Sequence, residues 1–165
     1  MKKADIIAID PGTSITGYAL LKINNTPELI TAGVITPKNN KNPYLNIKYI
    51  VNEIAKLIRK YKPYEGIIEK VYFFKNKKTA MRIAELRGAI IYLFINKNLE
   101  VYEYTPLEVK QALTGYGRAG KREIQKIEKY IFNLDKEIEP DDAADAVALG
   151  ICHINNKKFM QLIKS

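Results

Sequence analysis

An α/β domain is the fold class that the sequence predicts: a mixed five-stranded sheet in the order 3-2-1-4-5, flanked by helices. Three observations lead there. Three apolar, strand-like segments follow one another within the first 36 residues, joined by short turns, which is the pattern of an antiparallel meander. Two further strand-like segments come later, each preceded by a stretch with helical periodicity. Right-handed crossovers through those helices put strands four and five parallel to strand one. The 165 residues are 47% hydrophobic and 27% charged, enough for a single domain, 1–165, with a sizeable core.

Each element has its own signal. Residues 5–10 (Asp5-Ile6-Ile7-Ala8-Ile9-Asp10) read as a buried strand that Pro11-Gly12 turns away. Residues 15–23 form the second strand, Asn24-Asn25-Thr26-Pro27 the next turn, and residues 28–36 the third strand. After a Lys- and Asn-rich loop over 37–43, Ile47, Ile50, Val51, Ile54, Leu57 and Ile58 share one face of a helix over 45–61, which Lys62-Pro63 ends. Residues 65–72 are the fourth strand. A helix over 79–96 is apolar on most sides from Gly88 to Ile95, so it is buried or part of an interface. Residues 99–105 are the fifth strand. Thr105-Pro106 supplies a cap and first position for a helix over 106–114. A glycine-containing loop, 115–120, leads to helices over 121–133 and 140–162.

Composition narrows the chemistry. Lys and Arg number 27 against 18 Asp and Glu, a net charge of +9 and a pI near 9.4. That excess suits a polyanion, although charge alone is a solubility argument as much as a binding one. No apolar run approaches the length of about 18 residues that spans a membrane, and the N-terminus lacks the pattern of a signal peptide. Cys152 has no internal disulfide partner and reads as a core residue of a protein in a reducing cytoplasm. One histidine, His153, and no Cys/His cluster argue against zinc; His153 reads as a structural helix residue.

Against this basic background, acids occur in three unusual places: Asp10 at the end of an apolar run, Glu69 within Gly66-Ile67-Ile68-Glu69-Lys70-Val71, and Asp141, Asp142 and Asp145 at the start of the last helix. Asp10 and Glu69 project from strands expected to be parallel neighbours, at the carboxyl end where open α/β sheets bind ligands. Asp142 and Asp145 share a helix face, as do Asp141 and Asp145. Small Ala146 continues the face of Asp142 and lets the helix press on the sheet. Gathered carboxylates repel and raise one another's pKa, a cost that a hard divalent cation removes. A polyanion approaching such ions is the arrangement of a metal-dependent nuclease. Each acid alone has a plainer reading: Asp141 and Asp142 suit a helix N-terminus, and Asp10 suits a turn before Pro-Gly.

The charges also segregate. Residues 134–145 hold six acids and one base, and residues 109–130 hold six bases and two acids. Gly115, Gly117 and Gly120 either let the basic loop approach phosphate or simply cap and join helices. In Tyr72-Phe73-Phe74-Lys75-Asn76-Lys77-Lys78 the aromatics either stack on unpaired bases beside lysines or enter the core.

The stretches IIAIDPGTSITGYALL (6–21), GIIEKVYFFKNKKTAMRIAELRG (66–88), VYEYTPLEVKQALTGYGRAGK (101–121) and PDDAADAVALGICH (140–153) resemble, in order, those of RuvC-type Holliday junction resolvases. The resemblance implies a ribonuclease-H-like fold, a homodimer, and Mg2+-dependent paired nicking of four-way DNA junctions in recombination and repair. Two Mg2+ ions per site are expected, with Mn2+ as a substitute. It matches Asp10, Glu69, Asp142 and Asp145 to the family's catalytic, metal-binding acids, and Lys110 and Lys121 to basic residues near the scissile strand, Lys121 helping to position or neutralise the phosphate. Tyr72 matches an aromatic that contacts bases. Phe73, Lys75, Lys78, Arg118 and Arg122 are further DNA-contact candidates. The second helix, roughly residues 79–94, is the expected dimer contact, and a branch-migration motor complex is left open as a further partner. Asp141 departs from the family, which often has a small residue there; spacing favours Asp142 as the ligand. The first motif also resembles the phosphate loop of actin-like ATPases, but 165 residues leave no room for the second domain those need. Junction binding without catalysis, and cleavage of other branched DNA or of RNA hybrids, are the remaining alternatives.

Overall fold

The structure, a computed structural model, describes residues 2–38, 42–70 and 77–164, without the side chains of Lys77, Lys78 and Lys164. Its sheet has the order β3-β2-β1-β4-β5. The strands are β1 (Ile6–Asp10), β2 (Thr16–Lys22), β3 (Glu28–Ile35), β4 (Glu65–Glu69) and β5 (Glu100–Tyr104). β1 pairs antiparallel with β2 and parallel with β4, and β5 extends the sheet parallel to β4. The expected topology therefore forms. β4 is shorter than the expected 65–72: Glu69 ends the strand, and residues 71–76 lie outside the described residues.

Helix α1 (Pro43–Tyr61) begins two residues earlier than its apolar stripe suggested, because the Asn42 side chain accepts from the Tyr44 N–H at 3.0 Å and Pro43 fits the first turn. Helix α2 (Lys77–Asn96) leads to β5. Helix α3 (Pro106–Thr114) starts as expected at Thr105, whose hydroxyl accepts from the Glu108 N–H while the Glu108 carboxylate accepts from the Thr105 N–H. Helices α4 (Lys121–Ile131) and α5 (Asp141–Lys164) complete the chain.

Alternation along the strands sorts side chains onto two faces. Ile7, Ile9, Leu20 and Ile68 pack under α1 and α2, with Ile54, Leu86, Ile90 and Phe94. Ile6, Ala8, Ala19, Leu21 and Ile67 pack under α5, which also meets α3 and α4. β1 is apolar on both faces from Ile6 to Ile9, each fully buried, as a central strand requires. Cys152 is buried and unpaired in the second of these cores, as expected. On α2, Ile90, Leu93 and Phe94 are buried while Met81, Tyr92 and Ile95 are exposed, so the helix has both a core face and an open apolar face. No helix of the described residues is long and apolar enough to cross a membrane.

Candidate active site

Strand parity decides where the acids point. Asp10 follows Ile6 and Ala8 onto the α5 face, and Glu69 follows Ile67 there. The β1–β4 register aligns Ile9 with Ile68, so Asp10 and Glu69 are the next residue on each of two adjacent parallel strands, both at the carboxyl end. The residue opposite Asp10 on β2 is Gly17. A Cβ there would lie 1.8 Å from the Asp142 carbonyl oxygen, so only glycine lets the first turn of α5 come down onto the sheet. Ala143 and Ala146, both fully buried, keep that approach close. The entry to β2 is fixed by the Thr16 hydroxyl, which donates to the Gly12 carbonyl at 2.6 Å.

The result is a cleft of about 190 Å³ at the end of β1 and β4. Asp10, Glu69 and Asp145 line it together with Lys110 and Lys121, and Val109, Ile124, Ala148 and Leu149 wall it. Burial first, then the charges of Glu69, Asp145 and Asp142, push the Asp10 carboxyl up to about 7, with Lys121 opposing. Burial and Asp145 do the same to Glu69, also to about 7. Asp145 is raised mainly by burial, against the Lys121 ammonium. Asp142 does not line the cleft, but its charge acts on Asp10, whereas Asp141 is not among the groups that shift Asp10.

Lys121, at the first position of α4, spans the acids. Its Nζ donates to Asp145 Oδ2 at 3.2 Å and to Asp141 Oδ2 at 3.4 Å, and these carboxylates hold the ammonium charged even though burial opposes it. Gln125 Nε2 donates to the other Asp141 oxygen at 3.2 Å. Asp141 is thus engaged by α4 on the outer side, and Asp142 is the acid turned electrostatically toward Asp10. Among the described residues, no three acidic, His or Cys side chains yet converge on one point at ligating distance. The acids surround a common cleft, and the Lys121 ammonium neutralises part of their charge.

The other DNA-contact candidates divide. Lys110 lines the cleft, whereas Arg118 and Arg122 are exposed on the loop and at the start of α4 and do not line it. Tyr72, Phe73 and Lys75 lie outside the described residues, as does the side chain of Lys78. The three loop glycines have structural tasks: Gly115 takes φ +78° as the C-cap of α3, Gly117 faces Leu107 where a Cβ would clash at 2.3 Å, and Gly120 caps α4, its N–H donating to Glu123.

Sequence reasoning missed three features. Glu128 is fully buried on α4, at a spacing of four from Ile124 on the apolar stripe. Neither of its carboxylate oxygens has a hydrogen-bond partner, and burial followed by the Asp145 charge pushes it up to about 8, with the Ala148 backbone opposing. That helical spacing was a visible signal. His153, read as structural, joins a buried network: its Nε2–H donates to Glu65 at 3.0 Å, and the Tyr104 hydroxyl meets Nδ1 at 2.9 Å. Burial works to raise Glu65, but His153 and Lys157 outweigh it and hold the carboxyl below its usual range. Arg87 of α2 is the third; its neighbours in sequence give no signal.

Residues 6–153 match the family model described as crossover junction endodeoxyribonuclease RuvC. A protein of that name from Petrotoga mobilis is 46% identical over 93% of this chain and 94% of its own length. Another from Finegoldia magna is 42% identical over 95% and 96%. Among solved structures, Thermus thermophilus RuvC superposes with a TM-score of 0.85 at 23% identity, covering 93% of this chain and 95% of that one. The same protein in complex with Holliday junction substrate gives 0.84 at 21%, covering 93% and 94%. These last two likenesses show a shared fold.

Proposed function

Because the chain belongs to the crossover junction endodeoxyribonuclease RuvC family, we propose that it resolves four-way DNA junctions by hydrolysing one phosphodiester in each of two opposing strands, with Mg2+ as cofactor. The observation that carries this reading is the cleft in which Asp10, Glu69 and Asp145 meet beside two lysines on an otherwise basic chain.

The donor set fits a hard divalent cation. It is all carboxylate oxygen, and two of its members are pushed up to about 7 by burial and mutual repulsion, a cost that bound cations would remove. Asp10, Glu69, Asp142 and Asp145 would hold two Mg2+, or Mn2+ in their place. Such ions supply Lewis acidity, making water nucleophilic near neutral pH and stabilising charge on the leaving oxygen. Lys121, which bonds the Asp145 carboxylate, would be free to turn its ammonium to the scissile phosphate once cations occupied that carboxylate. Lys110 adds a second positive charge on the cleft wall. Val109, Ile124 and Leu149 exclude bulk water and strengthen these interactions. Arg118 and Arg122 track the backbone, while Tyr72, Phe73, Lys75 and Lys78 engage bases and phosphates at the branch. Paired nicks require two sites, and the open apolar face of α2, with Tyr92 and Ile95, supplies a self-complementary contact for a homodimer. A reducing cytoplasm suits the unpaired Cys152.

Cleavage of a synthetic four-way junction, a flap, a DNA–RNA hybrid and a linear duplex in Mg2+ tests the reading. Symmetric nicks in the junction alone are expected, lost in Asp10→Asn and Glu69→Gln while junction binding persists. Full nicking by Asp10→Asn would overturn it.

A further inference from the structure

The peptide unit between Glu69 and Lys70 is held on both sides. The Lys70 N–H donates to the Tyr104 carbonyl on β5 at 2.8 Å. The Glu69 carbonyl accepts from Arg87 Nε at 2.9 Å. Fixing both ends of one peptide fixes its plane, and with it the backbone rotation that aims the Cα–Cβ bond of Glu69. The guanidinium does not stop there: its Nη2 pairs with the Glu103 carboxylate on β5. Glu103 aligns with Ile68 in the β4–β5 register and shares the sheet face of Val101, under α2. Arg87 therefore grips the ends of two parallel strands from the face opposite the cleft. A planar fork aims its N–H groups in fixed, divergent directions and so sets both contacts in one geometry, which an ammonium on a flexible stem does not.

We infer that Arg87 is a positioning residue for Glu69, locking the end of β4 so that this carboxylate stays in the cleft. Arg87 cannot touch a substrate lying on the α5 face, so its effect passes through the main chain of Glu69. The site role of Glu69 rests on the function proposed above; the clamp itself rests only on the contacts just given.

The test uses the full chain with Arg87→Ala and Arg87→Lys. Three quantities are read: Mn2+ affinity by electron paramagnetic resonance, kcat and KM on a four-way junction, and hydrogen exchange of the Lys70 amide. Arg87→Ala is expected to weaken Mn2+ binding and lower kcat about 10- to 100-fold, with KM for the junction changed by less than about twofold, and to speed exchange at Lys70. Arg87→Lys retains a charge for Glu103 and so keeps the fold, but does not restore Mn2+ affinity. Parent-like Mn2+ affinity in either folded variant, or unchanged Lys70 protection, overturns the inference. If the parent itself neither binds Mn2+ nor cuts junctions, the functional reading fails, and exchange at Lys70 still decides the clamp.

Discussion

Replacing Glu128 with leucine is expected to stabilise the protein, and by an amount that grows with pH. The side chain is fully buried without a hydrogen-bond partner, and its carboxyl is pushed from 4.5 up to about 8. The folded state therefore keeps the proton to higher pH than the unfolded chain does. Unfolding allows ionisation from pH 4.5 upward, so this acid is harmless below that value and lowers stability progressively until about pH 8. At about 1.4 kcal/mol per pKa unit, the loss is under about 1 kcal/mol at pH 5 and about 3 kcal/mol at pH 7. Asp10 and Glu69 titrate in parent and variant alike, so they cancel in the difference. Packing changes introduced by leucine add an offset that does not vary with pH. Urea unfolding in EDTA at pH 5, 6 and 7 should thus show the gap between Glu128→Leu and parent widening by about 2.5 kcal/mol. Parallel stability curves would mean that Glu128 is paired or reaches water, and would refute the reasoning.

Other outcomes follow from the same geometry. Asp10 and Glu69, both raised to about 7, must lose protons to bind a cation, so Mn2+ affinity should rise from pH 6 to pH 8 with proton release, measured calorimetrically in buffers of different ionisation enthalpy; a flat profile would contradict it. In EDTA, those same raised values mean that stability falls as pH climbs from about 4 to about 7 and levels off above it. Gly17→Ala should cost about 2–4 kcal/mol in denaturant unfolding and depress kcat, because its Cβ would collide with the Asp142 carbonyl. Asp142→Asn should lower junction nicking about a hundredfold or more, whereas Asp141→Asn, whose carboxylate faces Lys121 and Gln125, should stay within about tenfold; the opposite order would reassign the ligand.

Much of the site could be read without coordinates because it depends on short-range periodicity. Alternation along β1 and β4 puts Asp10 and Glu69 on one face once the strands are adjacent, and a spacing of three puts Asp142 and Asp145 on one side of α5. The boundary of β4 was less legible, since strand-forming residues resume at Val71 and Tyr72 and nothing local marks Glu69 as its last paired residue. Choosing between Asp141 and Asp142 likewise needed the position of α4, because both sit in the first turn.

The sequence by itself determined the strand order, the cap at Thr105 and the placing of Asp10 and Glu69 at the ends of adjacent strands, since these follow from residue periods, turn chemistry and crossover handedness that act over a few neighbours. Only the tertiary structure decided which groups are buried against which. Glu128 lies against Asp145, Arg87 reaches the Glu69 carbonyl and Glu103, and Glu65 meets His153 88 residues later. Such contacts depend on how far helices slide and roll over the sheet, which is set by the packing of whole faces, down to the missing side chain of Gly17, and not by any local pattern.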